Sequence, residues 1–235
     1  MKTMRINIAA VLLLLLPVSL SPQETESLQS VYIKTGKYFE VLNDLNRVIA
    51  LNPHDASLYV RRAGIYNDLG EYGKASHDAD YALQLKPDYP DALVIRGAIY
   101  CNTGNYEESL ECFGKAIRID PRNHTYYLGR SVVHERMKNY REAADDLTNA
   151  LELDSQNKSL YESRALLYIK LGEYHAALND FTECLKIDPE DMAMHKQLAT
   201  VYYLLAEKTE DAVLKEEYIQ KALEEFIIVE RLENL

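Results

Sequence analysis

The stretch 56–87, ASLYVRRAGIYNDLGEYGKASHDADYALQLKP, decides the fold. Its first part sets Leu58, Tyr59, Arg62, Ala63, Tyr66 and Leu69 at three- and four-residue spacing. After Gly70-Glu71 the pattern resumes at Tyr72, Ala75, Ala79, Ala82, Leu83 and Leu85. Each half reads as an amphipathic helix with a broad apolar stripe. Gly70 offers the open backbone that ends the first helix, and Pro87 stops the second. Two short helices joined by a tight turn cannot bury both stripes alone, so they require stacked neighbours.

Repetition supplies those neighbours. Gly-x-Tyr or a close relative returns every 34 residues, as Gly36-Lys37-Tyr38, Gly70-Glu71-Tyr72, Gly104-Asn105-Tyr106, Lys138-Asn139-Tyr140 and Gly172-Glu173-Tyr174. Pro53, Pro87, Pro121 and Pro189 keep the same step, with Ser155 in the gap. Asp55, Asn123, Asn157 and Asp191 stand one residue before a first helix, where their side chains accept free amide hydrogens. Tyr89-Pro90 replaces that device with a proline at the first helical position. A strict period of this length means stacked supersecondary units, and it favours a binding surface over an active site.

The columns carry a family likeness. Small residues recur at Ala63, Gly97, Ser131, Ala165 and Ala199, and Tyr66, Tyr100, His134, Tyr168 and Tyr202 follow three later. In the second helices Ala75, Ser109, Ala143 and Ala177 precede Ala79, Phe113, Leu147 and Phe181. This resembles the tetratricopeptide repeat over residues 22–235. The resemblance implies an all-α, right-handed α-solenoid of six helix-turn-helix repeats. The units fall at 22–55, 56–89, 90–123, 124–157, 158–191 and 192–235. In the last unit the second helix returns late, at Ala222, Phe226 and Val229, so an insertion near 206–215 gives helices at roughly 192–208 and 211–232. The first unit is atypical, with Gln29 in place of the small residue and Val41 and Val48 in place of Ala, as expected of a terminal repeat.

Residues 1–21 form a targeting segment. Lys2 and Arg5 precede the apolar run 6–16, and Pro17-Val18-Ser19-Leu20-Ser21 comes after it. This is a secretory signal pattern, too short for a comfortable membrane span, although its poor cleavage site leaves an uncleaved anchor open. The expectation is export, to a bacterial periplasm or cell envelope or beyond it. The net charge of −11 argues against a nucleic-acid footprint, which needs clustered positive charge. Three cysteines, Cys101, Cys112 and Cys184, cannot complete a disulfide framework. A Cys101–Cys112 bond is conceivable in an oxidising compartment, but their columns point different ways. The sequons at Asn123 and Asn157 already have an explanation as helix caps.

An ion ladder keeps the same period. Arg62, Arg96, Arg130 and Arg164 lie on first helices, and Asp44, Asp78, Asp146 and Asp180 on second helices, with Cys112 at the missing step. Charges alternating along the stack would act as a structural staple rather than a recognition seam.

The resemblance also implies that first helices line a concave groove for a partner. Its columns are Val60, Val94, Leu128 and Glu162; Gly64, Ala98, Val132 and Leu166; and Asn67, Cys101, Glu135 and Ile169. Family members that clamp a C-terminal carboxylate use Lys, Asn and Arg there. Here the columns are mostly apolar, which suits an extended segment or a helix instead. The leading expectation is an adaptor that binds a peptide or helix of another protein in this groove. An alternative is a self-associating array, a homodimer through a C-terminal helix that leaves Ile219, Leu223, Phe226, Ile227 and Ile228 partly exposed. The same helix could seat the chain as an accessory subunit of an envelope complex. No cofactor is expected. The six His show no metal-ligand spacing, and no nucleophile motif or phosphate-cradling loop is present. Asp145-Asp146 and Glu216-Glu217 read as solvated helix faces. An enzyme is therefore not expected.

Overall fold

The computed structural model describes the backbone of residues 22–234 and the side chains of residues 36 and 38–234. The targeting segment expected at 1–21 lies outside the described residues. Those residues form eleven α-helices and no strand. They run α1 (Pro22–Leu51), α2 (Ala56–Asp68), α3 (Tyr72–Leu85), α4 (Pro90–Thr103), α5 (Tyr106–Ile119) and α6 (His124–Arg136). Then come α7 (Tyr140–Leu153), α8 (Lys158–Leu171), α9 (Tyr174–Ile187), α10 (Met192–Lys208) and α11 (Ala212–Glu233). The chain divides after Pro87 into two compact units.

In the first unit α1 packs on α2 and α2 on α3. The expected helix pair at 22–55, turning at Gly36-Lys37-Tyr38, is instead the single helix α1, so the described residues hold five pairs and one long helix. Gly36 does not adopt the positive φ that Gly70, Gly104 and Gly172 use to end their helices. A glycine inside a helix costs only about 1 kcal/mol relative to alanine. Packing of both helices, rather than glycine alone, must therefore enforce the turn. The side chains of α1 that the structure describes agree, since Leu42, Leu45 and Ile49 are buried while Phe39, Val41, Val48 and Leu51 are exposed.

In the second unit the pairs α4–α5, α6–α7, α8–α9 and α10–α11 stack through α5 on α6, α7 on α8 and α9 on α10. The core runs through the small-residue columns. Ala143, Leu147 and Ala150 pack with Leu160 and Leu167, and Ala165, Ala177, Phe181 and Cys184 with Leu198 and Val201. The helix caps obey the sequence pattern. The side chains of Asp55, Asn123 and Asp191 accept from Ser57 N, Thr125 N and Ala193 N, and Pro90 opens α4. Asn157 differs: its side chain joins Ser159 and Asp154 and makes no capping bond.

Lys138 takes the place of the turn glycine and holds φ at 63°. A side chain in the left-handed region costs about 1–2 kcal/mol. Lys138→Gly therefore stabilises the protein by about 0.5–1 kcal/mol once the extra freedom of the unfolded glycine is subtracted. Urea denaturation of the pair of proteins measures this, and a lower midpoint for the variant refutes the strain argument.

Candidate functional site

The first helices of the second unit present one apolar ridge to solvent. Val132 on α6 and Leu166 on α8 stand 34 residues apart, each 39% exposed, with half-buried Ala98 in the same column on α4. The flanking columns turn inward. Val94 packs on the cluster of Cys101, Phe113 and Val133, Leu128 on that of Leu147, and Ile169 on that of Phe181. Cys101 is buried, so it is a packing residue rather than a groove residue as the column suggested. Glu135 and Glu162 are half-buried. Beside the ridge, Lys170 Nζ donates to Glu135 Oε1 at 2.6 Å and ties α8 to α6. In the first unit Gly64 and Asn67 are half-buried, while Val60 is buried against the expectation of exposure. Cys101 packs with Phe113 of its own pair and Val133 of the next.

The ion ladder resolves into separate rungs within pairs. Arg62 reaches Asp78 through two hydrogen bonds of 2.6 and 2.7 Å. Arg164 reaches Asp180 at 2.9 and 2.7 Å, and Arg130 holds Asp146 in the same fork at 2.9 and 2.6 Å. The three carboxylates are buried. A free guanidinium nitrogen turns back to a neutral acceptor, Asn46 for Arg62 and Thr148 for Arg164, at 2.7 and 2.9 Å. Asp44 is not a member. It is exposed and, among the described residues, pairs with Arg47 one helical turn away at 3.7 Å, while Asn46 takes the position facing Arg62. At the missing step Arg96 Nε approaches Cys112 Sγ at 3.5 Å. These forks lie between the two helices of a pair.

All three cysteines are free thiols, and burial pushes Cys184 up to about 11. An inert, protonated thiol does not offer a nucleophile. Among the described residues no group of three or more His, Cys, Asp or Glu is placed to hold a metal ion, and no helix is long and apolar enough to cross a membrane. His134 stands in a Tyr column 3.9 Å from Asp146, with its Nδ1 buried and without a hydrogen-bond partner. That is a packing compromise and not a ligand geometry.

A second periodic hydrogen bond escaped the sequence reading. The hydroxyls of Tyr59, Tyr127 and Tyr161 donate to the carbonyls six residues earlier, at Pro53, Pro121 and Ser155. His195 takes this place on α10, with Nε2 3.0 Å from the Pro189 carbonyl and Nδ1 2.6 Å from Glu225 on α11. Two acceptors require two N–H donors, so the imidazolium fits best. Burial pushes the His195 pKa down, but the hydrogen bonds to Glu225 and Pro189, with the nearby Asp191 charge, leave it raised from 6.5. A raised folded value means that stability is fully present below pH 6.5 and is lost as pH rises through the folded pKa. Urea midpoints should therefore fall between pH 6 and pH 9 more steeply in the wild type than in His195→Tyr. Parallel slopes would remove His195 from this role.

Four tetratricopeptide repeat models match the chain, over residues 28–99, 90–123, 124–157 and 159–191. Among solved structures, MamA 41-end from Desulfovibrio magneticus RS-1 is 18% identical with a TM-score of 0.61, covering 76% of this chain and 95% of that one. YrrB, described as a TPR protein with an unusual peptide-binding site, is 21% identical with a TM-score of 0.58, covering 81% and 98%. A thermophilic TPR protein of Thermus thermophilus is 21% identical with a TM-score of 0.60, covering 77% and 98%. At such identities the likeness is one of fold. No curated protein matches the sequence.

Proposed function

The chain belongs to the tetratricopeptide repeat family, and from that premise we propose that the ridge of α4, α6 and α8 holds a peptide or helix of a partner protein. Repeat arrays of this family are protein–protein interaction scaffolds rather than catalysts, so the question is which surface is used. One observation carries the choice: Val132 and Leu166 are exposed in one column of α6 and α8, which the Lys170–Glu135 bond joins, while the flanking apolar residues Val94, Leu128 and Ile169 pack on the core. An exposed apolar surface of this kind can take an extended or helical segment by hydrophobic contact. The peptide-binding site named for YrrB supports the reading by analogy of fold.

The test selects binders from a random peptide display library on the full chain. Val132→Glu/Leu166→Glu should abolish capture of the selected peptides and leave the melting temperature unchanged. Val94 and Leu128 are unsuitable for this purpose because they pack on core clusters. Equal capture by wild type and variant would remove the ridge from the function. The basic and apolar residues of 1–21 support export of this scaffold to a cell envelope. Fusing 1–21 to a reporter active only outside the cytoplasm checks it, and an inactive reporter would refute it.

A further inference from the structure

The last pair carries an open face that its own column explains. Ala222, Phe226 and Val229 repeat the spacing of Ala177, Phe181 and Cys184. Ala222 and Val229 are buried like their counterparts, but Phe226 is 45% exposed where Phe181 is 0% and Phe113 is 3% exposed. The difference lies in the helix that covers the ring. Phe113 on α5 is covered by α6, whose Gly129 backbone lies so close that a Cβ there would fall within 3.0 Å of three ring atoms. Phe181 on α9 is covered by the cluster that includes Leu198 and Val201 of α10. Among the described residues no helix comes after α11.

The exposed face has a definite chemistry. Leu223 and Ile227 are exposed beside Phe226, and Ile219 is half-buried next to them. Exposed Glu216 and Glu230 lie seven residues to either side of Leu223, on the same stripe of the helix and about 21 Å apart at 1.5 Å per residue. Any pairing of α11 with a second α11 that centres on Leu223 sets carboxylate against carboxylate, Glu216 on Glu230 if antiparallel and like on like if parallel. The chain also carries a net charge of −11. Both features disfavour a second copy and favour a basic ligand.

We propose that the Ile219, Leu223, Phe226 and Ile227 face of α11 docks a single amphipathic helix of a different protein. That helix presents Gly or Ala against Phe226 and basic residues toward Glu216 and Glu230. It would extend the stack by the contact that α6 makes on α5, and this surface is independent of the ridge on α4, α6 and α8.

The probe is a synthetic peptide with the α6 sequence 124–136, HTYYLGRSVVHER, flanked at each end by a helical turn containing two lysines. Fluorescence anisotropy with the full chain should show saturable binding that weakens as salt rises. Phe226→Asp should weaken it at least about tenfold, the scale of a buried aromatic anchor. The exposed double variant Glu216→Lys/Glu230→Lys should weaken it as well, and leucine in place of the peptide's glycine should abolish it. Circular dichroism melts of the two protein variants should match the wild type, since all three positions are solvent-accessible. Absence of binding at millimolar peptide, or binding indifferent to Phe226→Asp, overturns the proposal. So does a dimer by light scattering that Phe226→Asp separates, because the occupant is then a second copy.

Discussion

Gly129→Ala will destabilise the protein by about 2 kcal/mol, although alanine is the better helix former by about 1 kcal/mol. The added Cβ would fall within 3.0 Å of three atoms of the Phe113 ring. The ring has nowhere to withdraw. A Cβ on Gly97, on its other side, would stand 3.0 Å from it, and Cys101 and Val133 complete its surroundings. Forcing one methyl group into a well-packed site typically costs about 1–3 kcal/mol, occasionally more, and this site is closed on both sides. For a chain of this size the loss lowers the melting temperature by about 4–8 °C. A second substitution isolates the cause. Leu147 occupies the Phe113 column one repeat later and is fully buried, so Phe113→Leu is a residue the architecture accepts. In that background Gly129→Ala should lose most of its penalty, which a double-mutant cycle reads as coupling. A variant that melts at or above the wild type, or a penalty that Phe113→Leu leaves intact, would show that Gly129 is tolerated rather than required.

Gly129 also marks the limit of what the period reveals. Columns report which positions repeat, and the repeating features were legible: the helix boundaries from Ala56 onward, the caps at Asp55, Asn123 and Asp191, and the late pair α10–α11. A column does not report which neighbour a side chain meets. Asp44 has the right type and spacing for the ladder, yet it faces solvent while Asn46, two residues on, faces Arg62. Gly36 has the right spacing for a turn, but a turn needs two packed helices, and α1 continues through it. Val60 and Cys101 sit in a groove column and are drawn into the core by local packing. His195 departs from a Tyr column and Gly129 stands in a column with no recurring residue type, so each becomes intelligible only beside Glu225 or Phe113. The ridge itself was half legible: the sequence marked twelve groove residues, and exposure singles out Val132 and Leu166 among the apolar ones of the second unit.

Asp180→Ala should be the most damaging change at the ion rungs, costing about 3 kcal/mol. Asp180 is buried, and Arg164 reaches both its oxygens while keeping only 16% of its side chain exposed. Removing the carboxylate leaves the guanidinium with the Thr148 hydroxyl as its remaining acceptor among these contacts. Breaking a buried pair this way costs about 3–5 kcal/mol, and the low figure applies because Arg164 keeps some contact with water. The cost measures an abandoned charge and not the net worth of the pair. Arg164→Met/Asp180→Leu, which removes both charges and keeps the volume, should therefore stand within about 1 kcal/mol of the wild type or above it. Asp44→Ala provides the baseline, because an exposed pair such as Asp44–Arg47 contributes about 0–1 kcal/mol. The expected order of urea midpoints places Asp180→Ala far below the other two. If the double variant fell as far as the single one, the rung would hold the pair together by attraction itself. Equal midpoints for Asp180→Ala and Asp44→Ala would mean that burial at the rung carries no energetic weight.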